Sequence, residues 1–146
     1  MDNVDLKILE MLHRNSRLSM RKIAETLPMS VPATCERVKK LEDAGVIENY
    51  TIDIDPFKMG NSVNAFMLFA PNHGYYEDMI EWAKNDYRIV SCWTLAGKFS
   101  LMFEISCKDM VEYGELVSTL FQKGTSESYI MVESHKFNKR FDKSNL

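Results

Sequence analysis

Hydrophobic positions in the first third of the chain recur at helical spacing. Val4, Ile8, Leu9 and Leu12 lie three and four residues apart and predict a helix over residues 4–14, with Asn3 able to cap its start. Arg17-Leu18 is a short connection. Ser19 then caps a second helix that turns Ile23, Ala24 and Leu27 inward, and Pro28 stops it, because proline disfavours helical backbone in the residue before it. Ser30 caps a third helix whose apolar stripe reads as Val31, Cys35, Val38 and Leu41. Pro32 falls in its first turn, where a missing N–H costs nothing, and Gly45 ends it in the left-handed conformation. Three short helices, the second and third joined by about three residues, describe a helix-turn-helix.

The period then changes. Tyr50–Asp55 (YTIDID) alternates and predicts a strand, with Pro56 and Gly60 breaking the chain after it. Val63–Ala70 is a continuous apolar strand and Gly74–Asp86 a helix facing Tyr76, Met79, Ile80 and Ala83 inward. Ile89–Leu95 and Phe99–Ser106 are strands flanking the turn Ala96-Gly97-Lys98, with Phe99, Leu101, Phe103 and Ile105 on one side. Asp109 caps a helix carrying Met110, Tyr113, Val117 and Leu120, and Tyr129–Phe137 is the last strand. The order βαββαβ predicts an α+β, ferredoxin-like sandwich with helices on one face of an antiparallel sheet. Met102 and the strand Val63–Ala70 make its other face partly apolar. Burying roughly 1,000 Å² or more of that face against a second copy is the expected remedy. The boundaries expected are 1–56 for the helical domain with its linker strand and 61–137 for the sheet domain.

Charge adds a direction. Arg14–Lys40 holds seven bases and two acids, so it carries +5 within a chain of net charge −3 and leaves −8 for the rest. One basic face on an acidic chain suits a protein that presents a single patch to phosphates, although a solvated helical surface has the same composition. On the third helix Ala33, Thr34, Arg37 and Lys40 fall off the apolar stripe. Small residues near a helix N-terminus let its backbone approach a groove wall, and such a helix enters the major groove with its N-terminal residues against base edges. For Arg37 the plainer alternative is a surface ion pair.

Enzyme chemistry finds little support. The 146-residue chain has three cysteines, Cys35, Cys92 and Cys107, at wide spacing without a CxxC, and three isolated histidines. Disulfide frameworks and zinc sites are not expected. No HExxH, GxSxG, GxGxxG or P-loop sequence occurs, and no cofactor is implied. No apolar run approaches the ~18 residues of a membrane span. The acidic start lacks a signal peptide's basic segment, so a cytoplasmic protein is expected.

The chain resembles the Lrp/AsnC (leucine-responsive, feast/famine) family of transcriptional regulators. Asp5, Ile8, Leu12, Arg17, Leu18-Ser19, Ile23-Ala24 and Leu27 carry the resemblance, followed by the pattern S-x5-E-R-V-x2-L-E-x2-G-x-I-x2-Y-T from Ser30 to Thr51. The second half is similar through its βαββαβ order and Ala96-Gly97-Lys98-Phe99. The resemblance implies double-stranded DNA as partner and a winged-helix-like reading head. The DNA-facing residues would be Arg17, Ser19, Ser30, Pro32, Ala33, Thr34, Arg37 and Lys40. It also implies dimers formed through the C-terminal (RAM) domains, which in the family often assemble into octamers, leaving dimer versus octamer open here, with the linker strand pairing between subunits and half-sites about one helical turn apart. An amino-acid-like effector would meet the hairpin at Leu95, Gly97, Lys98, Phe99 and Ser100.

Three departures stand out. Pro28 replaces the usual glycine of the turn between the second and third helices, where positive φ suits glycine and not proline. Ser100 replaces the hairpin acid and offers a hydrogen bond without charge, which leaves the effector's identity, and its existence, open. The usual L-P-G-V turn before the last strand is replaced by the shorter LFQKGTS of Leu120–Ser126. A sirohaem-decarboxylating branch of similar architecture is the enzyme alternative, but Val90–Thr94 lacks the histidine it would need. A ligand-binding module without DNA binding is the other alternative.

Overall fold

The structure is a computed structural model that describes residues 1–134. The chain forms two compact units, one over Met1–Asp53 and a second beginning at Ile54.

The first unit holds α1 (Asn3–Arg14), α2 (Met20–Thr26) and α3 (Val31–Asp43). Ile8, Leu12, Ile23, Val38 and Leu41 form its core, and Val4, Leu9, Leu18, Leu27 and Ile47 pack around them. The cap of α1 is Asp2, one residue before the expected Asn3. Asp2 Oδ1 accepts from the N–H groups of Val4 (2.8 Å) and Asp5 (2.9 Å), and Asp5 Oδ2 accepts from the Asp2 N–H at 2.9 Å. This reciprocal capping box needs an acceptor three residues after the cap. Asp2 has Asp5 there; Asn3 would have only Leu6.

Two helix ends use the same geometry with different success. At the end of α3 the N–H of Val46 reaches Leu41 O at 2.9 Å and the N–H of Gly45 reaches Glu42 O at 2.9 Å, with Gly45 at φ +67°, as expected. At the end of α2 the N–H of Met29 reaches Ala24 O at 3.0 Å, the same long closing bond. The residue in the glycine position is Pro28, at φ +22°. Proline was not expected to take positive φ. Here the closing bond holds it there against its ring, and without an N–H it cannot supply the second bond that Gly45 makes.

The buried stripe of α3 is Thr34, Val38 and Leu41. Val31 and Cys35, expected inward, are exposed. The helix is rotated so that Thr34 enters the core at 0% exposure. This is tolerable because its Oγ1 donates to Ser30 O at 3.1 Å.

Tyr50–Asp55 is not a strand among the described residues, contrary to expectation. A strand is defined by its hydrogen-bond partners, and this segment joins no ladder among the described residues. Its alternating side chains are exposed, Ile52 at 73% and Ile54 at 53%.

The second unit contains β1 (Val63–Pro71), α4 (Tyr76–Asn85), β2 (Ile89–Thr94), β3 (Leu101–Cys107), α5 (Met110–Leu120) and β4 (Gly124–Ile130). The antiparallel sheet has the order β2-β3-β1-β4. Val63, Ala65, Met67 and Phe69 of β1 alternate toward one face with Leu101, Phe103, Ile105 and Cys107 of β3. Met79 and Ala83 of α4 and Tyr113, Leu116 and Leu120 of α5 close over them. Met110, expected inward, is exposed at the first turn of α5. The opposite face carries Phe66, Leu68, Met102 and Trp93, partly apolar as expected.

The last strand begins five residues before its expected start at Tyr129. Gly124 is the reason: a Cβ there would collide with Ala70 O, and would lie 2.6 Å from Phe69 Cζ and 2.9 Å from Pro71 Cα. Glycine lets pairing with β1 begin directly after α5, through a polar run that alternation does not reveal. The expected strand residues 135–137 lie outside the described residues.

Candidate nucleic-acid interface and effector hairpin

Helix-turn-helix geometry begins with the caps. Ser30 Oγ accepts from the Ala33 N–H at 3.3 Å and fixes the start of α3; Ser19 Oγ accepts from the Lys22 N–H at 3.2 Å and fixes the start of α2. Each hydroxyl still has its hydrogen to donate. Both serines, Pro32 and Arg17 are exposed, and Ala33 is half-buried.

Two of the expected DNA contacts are engaged within the protein. Thr34 is wholly buried and cannot face a groove. Arg37 donates from Nη1 to Asp2 Oδ2 at 2.8 Å and to Asp5 Oδ1 at 2.7 Å. Its ion pair joins α3 to the capping box of α1, not to the neighbouring acids of its own helix. Asp2 and Asp5 are held below the usual carboxylate range, chiefly by the backbone N–H groups each accepts and then by Arg37. Arg37 is correspondingly pushed up, first by Asp5 and then by Asp2. Two acids three residues apart at the helix start were the available signal for this clamp. Beside it lies a cavity of about 520 Å³ lined by residues that include Met1, Asp5, Ala33, Arg37 and Lys40.

Lys40 is exposed and pairs with Glu36 at 2.9 Å one turn earlier, which lowers the Glu36 carboxyl. Cys35 and Lys39 are exposed as well. At the far end of α3 the Tyr50 hydroxyl donates to Glu42 at 2.7 Å. Burial, and then that carboxylate, push the phenol up to about 12. The pair fastens the start of the linker to the helix.

The hairpin between β2 and β3 closes through the Leu95 N–H, which donates to Ser100 O at 2.8 Å. Gly97 is exposed with open space around it. Lys98 lies with Nζ 4.8 Å from the centre of the Phe99 ring and 3.4 Å from Glu127 Oε1 on β4. Phe99 is buried, so its ring braces the hairpin and leaves a ligand little surface. Leu95 and Ser100 are half-buried. The hairpin thus offers one cation beside one carboxylate.

Residues 1–48 match a winged helix-turn-helix DNA-binding family, and residues 64–141, more than half the chain, match the Lrp/AsnC ligand binding domain. The chain belongs to the Lrp/AsnC family. It is 29% identical to the HTH-type transcriptional regulator LrpC of Bacillus subtilis, over 99% of this chain and 96% of that one. It is 35% identical to LrpA of the same organism, over 67% of this chain and 79% of that one. The solved structure of Bacillus subtilis LrpC superposes with a TM-score of 0.87 at 26% identity, covering 93% of this chain and 97% of that one. A transcriptional regulator from Neisseria meningitidis, solved in complex with L-Met, superposes with a TM-score of 0.85 at 25% identity, covering 94% and 93%.

An Lrp/AsnC protein with both matched domains is a DNA-binding transcriptional regulator. These relatives are named as regulators, and the sirohaem-decarboxylase alternative is not favoured. Among the described residues no helix is long and apolar enough to cross a membrane.

Proposed function

We propose that this cytoplasmic regulator acts as a dimer or higher oligomer, placing one α3 per subunit in successive major grooves while its sheet unit senses a small zwitterion. The observation that carries the reading is the exposed, alternating segment Tyr50–Asp55, which forms no strand among the described residues. It alternates like a strand yet joins no ladder among the described residues, and Ile52 and Ile54 face solvent. A second copy supplying that ladder would satisfy both and hold two reading heads at fixed spacing. The apolar side chains on the open sheet face point the same way.

The hairpin is the proposed effector contact. Lys98 suits a carboxylate and Glu127 an ammonium group, so the pair fits the two ends of a free amino acid. The L-Met complex of the Neisseria relative supports that class of ligand. A footprint on the protein's own promoter, with and without candidate amino acids, tests the reading. Protected half-sites about one helical turn apart, shifted by an amino acid, are expected. An unprotected promoter together with a monomer in solution would overturn it.

A further inference from the structure

The structure assigns sequence readout to a face of α3 rotated about one residue away from Ala33, Thr34 and Arg37. We infer that Glu36 is the specificity-determining residue, accepting a hydrogen bond from the exocyclic amine of a cytosine in the major groove, while Arg37 is a positioning residue. The inference rests on the reading that α3 enters the groove.

Burial sets the rotation. Thr34, Val38 and Leu41 point into the core, so the outward side of a 3.6-residue helix is Pro32, Glu36, Lys39, Lys40 and Asp43. All five are exposed. Arg37 lies on the flank toward α1, where Asp2 and Asp5 hold it.

The two ion pairs differ in what breaking them costs. Lys40–Glu36 is a one-turn surface pair, with side chains 73% and 69% exposed. Such pairs contribute little, so Glu36 can be given up to a base. Arg37 instead bridges two carboxylates, one of them only 15% exposed, that also form the cap of α1. Withdrawing it would leave two like charges side by side at the start of α1. Arg37 therefore stays with the protein and sets where α3 sits.

Glu36 lies in the N-terminal half of α3, the part a helix-turn-helix brings to base edges. Phosphates repel a carboxylate, so an acid there is favourable only where it accepts from a base amine. Cytosine N4 is the usual partner of an acidic side chain. Lys39 and Lys40, one turn further on, are placed for phosphates and offset the charge of Glu36.

The test is selection of duplexes from a randomised pool by the full chain, by Glu36→Gln, by Arg37→Ala and by the double variant Asp2→Asn/Asp5→Asn. The wild type is expected to select a motif. Glu36→Gln is expected to change the favoured base at one position per half-site, with roughly tenfold lost discrimination there. Arg37→Ala and the double variant, which keeps Arg37 but frees it, are both expected to weaken every sequence alike and leave the motif unchanged. An unchanged motif for Glu36→Gln would overturn the assignment. So would a base change at one position for Arg37→Ala, or tighter, equally specific binding by the double variant. A wild type that selects no motif would instead sink the groove-entry reading beneath it.

Discussion

Arg37 donates to Asp5 Oδ1 at 2.7 Å while the other oxygen of the same carboxylate, Oδ2, accepts from the backbone N–H of Asp2 at 2.9 Å. One side chain thus closes the cap of α1 and fixes the position of α3. Helix α3 is held to the rest of its unit by charge as well as by Val38 and Leu41.

That arrangement gives the first unit a defined acid sensitivity. Asp2 and Asp5 sit below the ordinary carboxylate range, so their contribution is complete above the unfolded value of roughly 3.9 and is lost as pH falls through the lower folded values. Hydrogen-exchange protection of the α1 and α3 amides, taken relative to the intrinsic rate at each pH, should fall over that acid range in the wild type. Asp2→Asn/Asp5→Asn should be less protected already at neutral pH and lose little more on acidification. Identical pH profiles would contradict the clamp.

Thr34→Val separates burial from recognition. The valine keeps the shape, and Ser30 O retains the Thr34-position N–H at 3.0 Å after the hydroxyl bond is lost. A loss of about 1 kcal/mol is expected, with DNA affinity unchanged. Lost affinity in a folded variant would return residue 34 to the interface.

Pro28→Gly should stabilise the helical unit. Glycine accepts φ +22° without ring strain and restores an N–H for the carbonyls at the end of α2, at the cost of a more flexible unfolded chain. A net gain of about 1 kcal/mol is expected, read from slower hydrogen exchange across α2 and α3. Faster exchange would mean that the proline's stiffness outweighs its strain.

Gly124→Ala should act on the other unit. The new Cβ would collide with the backbone of β1 at Ala70 and Pro71, forcing β4 away at a cost of roughly 1–3 kcal/mol. Trp82 and Trp93 both lie in the sheet unit, so their fluorescence during urea unfolding reports this change. An unshifted midpoint would show that the strand has room to move.

Periodicity carried most of the architecture, because burial of one helix face or one sheet face leaves a repeat along the chain. Ser19, Ser30 and Asp109 were legible as caps, and Gly45 as a helix end, for local chemical reasons. What local pattern could not supply was rotation and partnership. Val31 and Cys35 fit the apolar spacing of α3 as well as Thr34 does, and only contacts with the other helices choose between them. Arg37 looks like a groove residue until the fold brings Asp2 and Asp5 to it across more than thirty positions. β4 was misplaced because its run Thr125–Ser128 is polar; a glycine's close approach, not hydrophobicity, sets where pairing begins. Tyr50–Asp55 has the alternation of a strand but forms none among the described residues.

The central claim, that α3 meets DNA with its outward face, has a built-in probe. Cys35 is exposed on α3, Cys107 is buried, and Cys92 can be removed as Cys92→Ser. Thiol labelling of Cys35 should slow by about tenfold or more when a selected duplex is bound at low salt, and recover as salt releases the duplex. Cys35 labelling at an unchanged rate on a protein fully occupied by DNA would contradict the account.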